Sequence, residues 1–129
     1  MLDVRGLSKS WPGGAPLFDS VDLVVAPGEL VAILGESGAG KSTLLNIIAG
    51  LDRADSGTVV VSGTAVTSLG EDELTRWRRR HVGFVFQSFH LLPYLTVEEN
   101  VGLPLLLNGV AASERKSRSL AALEAALDV

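Results

Sequence analysis

Cysteine is absent from the 129 residues. Its absence excludes disulfides, thiolate catalysis and cysteine-based zinc sites, and is compatible with a reducing compartment. Aromatic residues are scarce, at 5% of the chain, so each large ring invites a specific reading. There is no surplus of positive charge: the net charge is −4, which does not favour a nucleic-acid partner. No apolar stretch reaches the roughly 20 residues that a membrane-spanning helix needs. The longest candidate, Val101 to Val110, is shorter and contains Pro104. The opening residues, Met1 to Arg5, lack the basic and then apolar run of a signal peptide. These features lead us to expect a soluble chain, or one held at a membrane by a partner.

A hydrophobic fraction of 47% with 20% charged residues suits a single packed domain. No internal repeat or low-complexity tract interrupts it. Leu2, Val4 and Leu7 read as a first strand, and Pro12-Gly13-Gly14 as a turn. Val21, Leu23 and Val25 alternate in the manner of a half-buried strand. Leu30 to Leu34 is an unbroken apolar run, which predicts a strand buried on both faces, as in a parallel sheet. Leu44, Leu45, Ile47 and Ile48 repeat at helical spacing, with Gly50 as the helix stop. Thr58 to Val61 follows as a strand. Glu71 to Arg80 reads as a short helix, and its basic run (Arg76, Arg78, Arg79, Arg80, then His81) as a solvated face. Val82 to Phe86 is a second buried-strand candidate. Thr96-Val97-Glu98-Glu99 has the form of a capping box, and the helix it starts meets Pro104, where a kink is expected. Ser113 to Leu127 predicts a last amphipathic helix with Leu120, Leu123 and Leu127 on one side. Val129 follows without a turn signal.

Between the Leu30–Leu34 run and the next helix lies Gly35-Glu36-Ser37-Gly38-Ala39-Gly40-Lys41-Ser42, which matches the full P-loop pattern. Glycines let backbone amides approach anionic oxygens. A helix that starts near Lys41 turns its free N–H groups and positive dipole end toward the same point. Lys41 adds a full charge for the β- and γ-phosphates, and Ser42 a hydroxyl ligand for Mg²⁺. The pattern predicts a bound nucleoside triphosphate with Mg²⁺. It does not choose among kinases, GTPases and transport ATPases.

The wider sequence resembles the ATP-binding subunits of ABC transporters, from Leu2 to about Leu127. Gly28 to Leu45 is similar to their Walker A segment, and Ala49-Gly50-Leu51 with Asp55-Ser56-Gly57 to the stretch after it. Val82 to Gln87 resembles the strand leading into the Q-loop, and Leu92 to Val101 the segment that follows. The resemblance implies an α/β fold: a P-loop NTPase (RecA-like) core with an N-terminal antiparallel β subdomain and the start of a helical subdomain, incomplete. It implies residues 1–87 as the β subdomain and Walker A core up to the Q-loop, and residues 88–129 as the start of the helical subdomain. It assigns ATP and Mg²⁺ as cofactors, held by Gly35, Glu36, Ser37, Gly38, Ala39, Gly40, Lys41, Ser42 and Thr43. Trp11 stands where an aromatic residue, usually Tyr, stacks on adenine. Gln87 would be the Q-loop glutamine that reaches Mg²⁺ or the attacking water. Phe84 to Pro93 and Glu99 to Leu105 are similar to the lipoprotein-releasing and macrolide-exporter group.

The resemblance also implies partners and a place. A membrane-spanning transporter subunit would dock on the apolar region after Gln87, and a second ATP-binding subunit would complete a dimer. The location would be peripheral, on the cytoplasmic face of a bacterial inner membrane. Phe89, Leu91, Leu92, Tyr94 and Leu95 admit two readings, an exposed docking groove or inward packing against the last two helices. The family's Leu-Ser-Gly-Gly-Gln signature, Walker B carboxylates and switch histidine are not found here. His81 and His90 precede or flank the Q-loop and cannot fill that last place. The expectation is therefore the first part of a longer ATPase, with little turnover of its own and with strands at Leu30–Leu34 and Val82–Phe86 left without neighbours. A non-transport ABC ATPase acting on DNA or ribosomes, and an inactive nucleotide-binding module, remain as alternatives.

Overall fold

The structure is a computed structural model that describes residues 1–127; Asp128 and Val129, where the sequence showed no turn signal, lie outside the described residues. The chain divides into two compact units, Met1–Val82 and a second beginning at Gly83.

The first unit is built on a four-stranded antiparallel sheet, in the order β2-β1-β3-β4. Strand β1 (Leu2–Ser10) and strand β2 (Pro16–Val25) form a hairpin, with Leu2 opposite Val25 and Val4 opposite Leu23. Its turn is closed by Trp11 N–H donating to the Ala15 carbonyl and Gly14 N–H to the Trp11 carbonyl. Pro16 stands at the first residue of β2, where its missing N–H does least harm to the ladder. Strand β3 (Ser56–Val61) pairs with the other side of β1, Val4 opposite Val59, and β4 (Thr64–Ala65) follows.

Helix α1 (Lys41–Ile48) and helix α2 (Glu71–His81) supply the rest of the core. Leu44 and Ile47 from α1 and Leu74 and Trp77 from α2 join Val4, Leu7, Val59 and Val66 in one buried cluster. The i, i+3 spacing of both helical pairs aims them at one face. Arg78 breaks with the expected solvated face. Its guanidinium donates to the Gly50 carbonyl just past the C-terminus of α1, and so ties α2 to that helix end. A cation there also suits the negative end of the helix dipole.

Two expectations of buried strands are corrected. Leu30–Leu34 lies outside helix and strand, with Leu30 97% and Leu34 88% exposed. Residues 83–86 are likewise unpaired, and Val85 is 96% exposed. A strand apolar on both faces needs a neighbour on each edge and a cover on each face. Among the described residues no strand pairs with either segment.

The second unit holds helix α3 (Val97–Leu107) and helix α4 (Ala112–Leu127), which pack on each other. Helix α3 runs through Pro104 to Leu107. The leucine side expected to bury α4 is buried only in part: Leu123 is half-buried, but Leu120 is 41% and Leu127 82% exposed, while Ser119 is buried. A side-chain carbon at Gly102 would meet Ser119 Oγ at 2.9 Å. The crossing is therefore made by two small residues, which allow closer backbone approach than leucines would.

The capping box forms as the sequence predicts. Glu99 N–H donates to Thr96 Oγ1 at 3.2 Å, and Thr96 N–H to Glu99 Oε2 at 2.7 Å. Bonds from the Thr96 backbone and then its side chain hold the Glu99 carboxyl below its ordinary pKa. A carboxylate whose folded pKa is lowered stabilises the fold above its unfolded pKa, and that help is lost as pH falls through the folded value. The first turn of α3 should therefore fray on acidification to below about pH 4, and a Glu99→Gln chain should show no such step. Amide exchange at Asn100, measured against pH in both chains, checks this; equal pH dependence would reject it. Thr96→Ala should cost about 1 kcal/mol at neutral pH, read by denaturant unfolding.

Candidate nucleotide site

Helix α1 begins at Lys41 because Gly40, at φ 85°, turns the chain into it. No side chain caps this helix end and no acidic residue occupies its first turn. The first rung of the ladder is Leu44 N–H to the Gly40 carbonyl, at 2.8 Å. The amides of Lys41, Ser42 and Thr43 therefore precede the ladder and are free to serve an anion. Gly38, at φ 83°, makes the second left-handed step two residues earlier. Alternation of this kind turns successive N–H groups toward one concavity.

Lys41 folds back over the loop. Its Nζ donates to the Gly35 carbonyl at 2.9 Å and to the Glu36 carbonyl at 2.6 Å. The ammonium thus sits over the residues that the P-loop pattern assigns to phosphate. Glu36, Ser37, Gly38, Ala39 and Ser42 are exposed, and Thr43 is half-buried. The loop rests on a firm base. A side-chain carbon at Gly40 would meet Leu17 and Phe18 at 2.9 Å, so β2 packs directly under the turn. That same strand leaves the hairpin end where Trp11 stands, 52% exposed at the mouth of the turn. The structure thereby brings Trp11 onto the hairpin that supports the loop.

Gln87 belongs to the second unit and is exposed. The chain bends around it: the rings of Phe86 and His90 meet edge to face at 4.7 Å, and His90 has φ 49°. Left-handed backbone in a non-glycine residue stores strain that recurs at functional turns. The two readings of the apolar segment resolve in part. Phe89, Leu91 and Tyr94 are 91%, 62% and 79% exposed, whereas Leu92 and Leu95 are half-buried.

Two residues that organise these elements were not singled out from the sequence. One is Arg78, described above. The other is Asn100, whose amide is bonded to the chain that follows Gln87. A helix of mixed composition hides such an asparagine. The available signal was its place four residues after the Thr96 cap, within reach of the preceding loop.

Comparison with known proteins identifies the family. A family model described as ABC transporter matches residues 18–128, which includes the loop and Gln87 but not Trp11. The pyoverdine export ATP-binding/permease protein of Pseudomonas syringae is 46% identical over 128 residues, 96% of this chain and 20% of that protein. The macrolide export ATP-binding/permease protein of Shigella flexneri is 45% identical over 127 residues, 96% of this chain and 19% of that protein. The chain spans about a fifth of the length of these curated relatives. Among solved structures, a dimeric ATP-binding cassette bound to ADP and phosphate superposes with a TM-score of 0.89 at 40% identity, covering 96% of this chain and 56% of that one.

Proposed function

Because the chain belongs to the ABC transporter family, we propose that it binds MgATP at Gly35–Thr43 as part of the energy-coupling domain of a bacterial envelope exporter. The observation that carries this reading is the start of α1: three amides ahead of the ladder, no acidic neighbour in the first turn, and Lys41 held over the loop. The donor set fits a polyphosphate. Among the described residues no three acidic or histidine side chains gather to hold a metal ion. Mg²⁺ would be carried largely by phosphate oxygens and water, with the Ser42 hydroxyl as a protein ligand; the metal role for Gln87 rests on the family resemblance alone. The bound ion would neutralise phosphate charge.

In this reading Trp11 offers its exposed face to adenine. Residues 1–87 act as the nucleotide-binding part and residues 88–129 as the start of the helical part. A membrane-spanning segment of the exporter docks on Phe89, Leu91 and Tyr94, and a second ATP-binding domain completes the dimer. No helix among the described residues is long and apolar enough to cross a membrane. The proposed place, taken from the exporters the chain resembles, is peripheral, on the cytoplasmic face of the inner membrane. The exporters named above and the dimeric cassette support these roles.

A ligand that binds only the folded chain raises its stability by about 2.7 kcal/mol at a hundredfold excess over Kd. We expect thermal unfolding to move upward with MgATP and to stay put with AMP. No shift with MgATP at millimolar concentration would remove the reading. Turnover is a separate matter. Phosphoryl transfer to water needs a positioned water and stabilised γ-phosphate charge, and Lys41, Ser42 and Gln87 provide only part of that. The purified chain should hydrolyse ATP no faster than its Lys41→Ala variant, measured by phosphate release.

A further inference from the structure

The Asn100 side chain uses its whole amide on the segment between Gln87 and α3. Its Oδ1 accepts from Leu92 N–H at 2.8 Å. Its Nδ2 donates its two hydrogens among the carbonyls of Leu92 at 3.1 Å, Leu95 at 3.2 Å and Thr96 at 2.9 Å, so two of these acceptors share one hydrogen. Both backbone groups of Leu92 are thus satisfied by one side chain, in the way a neighbouring strand would satisfy them. The Leu95 N–H closes the same turn on the Leu92 carbonyl at 3.1 Å. The bonds to Leu92 and Leu95 are part-buried, and the bond to the Thr96 carbonyl is exposed.

We propose that Asn100 is the positioning residue of the Gln87 loop, fixing the chain at Leu92 so that the turn carrying Gln87 is held at both ends. The upstream end is held by the ring contact of Phe86 with His90, which spans Gln87. The downstream end is the Asn100–Leu92 pair. Between His90 and Leu92 stands only Leu91, so the turn has little slack. A glutamine proposed to reach a metal or a phosphate must be returned to one place after each swing, and a pinned turn does that where a loose loop would not. The consequence for Gln87 rests on the role proposed for it above; the pinning itself does not.

Only Asn among small polar side chains has the needed mixture. Three carbonyl oxygens face Nδ2 and one N–H faces Oδ1, so a carboxylate would present an acceptor to three acceptors. Asn100→Asp keeps the Leu92 N–H bond and loses the three donated ones. Asn100→Ala loses all four. Thr96→Ala weakens the start of α3 without removing any bond to Leu92, and serves as the control for simple helix destabilisation.

Tyr94 is the one tyrosine in the chain and lies inside the pinned segment. Fluorotyrosine incorporated there reports local motion by the width and position of a single ¹⁹F resonance. In the full chain, Asn100→Ala should raise amide exchange at Leu92 and Leu95 by about tenfold or more, the scale expected for losing one buried hydrogen bond. Asn100→Asp should raise Leu95 exchange and spare Leu92 more. Both should sharpen the Tyr94 signal toward that of a mobile ring, and Thr96→Ala should not. If Asn100→Ala leaves Leu92 and Leu95 exchange unchanged, or raises exchange equally along α3 and α4, the positioning role is rejected. Gln87→Ala, assayed for Mg²⁺-dependent ATP affinity, tests the other reading separately. Loss of loop protection in Asn100→Ala together with unchanged affinity in Gln87→Ala would retain Asn100 as the pin and discard the role given to Gln87.

Discussion

Replacing Lys41 with alanine should weaken MgATP binding by about a hundredfold, the equivalent of losing one or two charge-assisted hydrogen bonds. The ammonium reaches over the loop to the Gly35 and Glu36 carbonyls. It closes the loop's own backbone, and in the proposed function it also presents charge to phosphate. Losing it removes both. The two tasks separate experimentally. The loop-closing part appears without nucleotide, as a fall in stability of about 1 kcal/mol read from denaturant unfolding. The phosphate part appears only in the binding isotherm. Lys41→Arg should keep much of the attraction but lose affinity all the same, because a planar guanidinium cannot take the place of a compact ammonium inside a tight loop. An alanine variant that binds MgATP within about threefold of the parent would mean that the free amides of α1 hold the nucleotide without the lysine.

The second large effect is on folding. Gly57→Ala should destabilise the first unit by about 3 kcal/mol or more, the sum of a left-handed backbone forced on alanine and an overpacked contact. Gly57 has φ 94°, and a side-chain carbon there would collide with the Gly6 carbonyl and the Leu7 Cα. The pairing explains the crowding. Between Arg5 opposite Thr58 and Ser8 opposite Ser56 the β1–β3 register shifts, so that β1 has two residues, Gly6 and Leu7, facing the one residue Gly57. Leu7 is fully buried and sits at the centre of the core. The collision is with main chain, which cannot step aside as a flexible side chain would. Gly63 gives the control: it also has positive φ, at 85°, but nothing lies within 4 Å of a carbon added there. Gly63→Ala should cost only the backbone part, about 1–2 kcal/mol. Chemical denaturation of both variants checks the pair; equal losses would show that conformation alone decides, and not the approach of β1.

Features set by a few adjacent residues could be read from the sequence. The loop from Gly35 to Ser42, the start of α1, the Pro12–Gly14 turn and the Thr96–Glu99 box are of this kind, because each is made by residues within one turn of one another. Features that depend on a distant surface could not. Leu30–Leu34 states by composition what surroundings it suits, but composition does not supply the neighbour. Arg78 reads as one of several solvated arginines until the fold sets it beside Gly50, the helix stop 28 positions earlier in the chain. The last helix carries its leucines in a regular row, yet the crossing selects Ser119 against Gly102, since closeness of approach and not apolar area decides that contact. At the candidate site, the glycine-rich loop and the helix start that follows it were legible; the pin on the Gln87 loop was not, because an asparagine inside a helix shows its purpose only when the chain it grips is in view.

The segment Leu30–Leu34 also bears on how these 129 residues behave at high concentration. Leu30 and Leu34 are exposed and lie outside helix and strand, while Ile33 packs on the core. Apolar backbone of this kind is a template on which another chain can pair. The purified chain should therefore self-associate as concentration rises, and a charge placed at Leu34 should reduce that more than a substitution that strengthens the core.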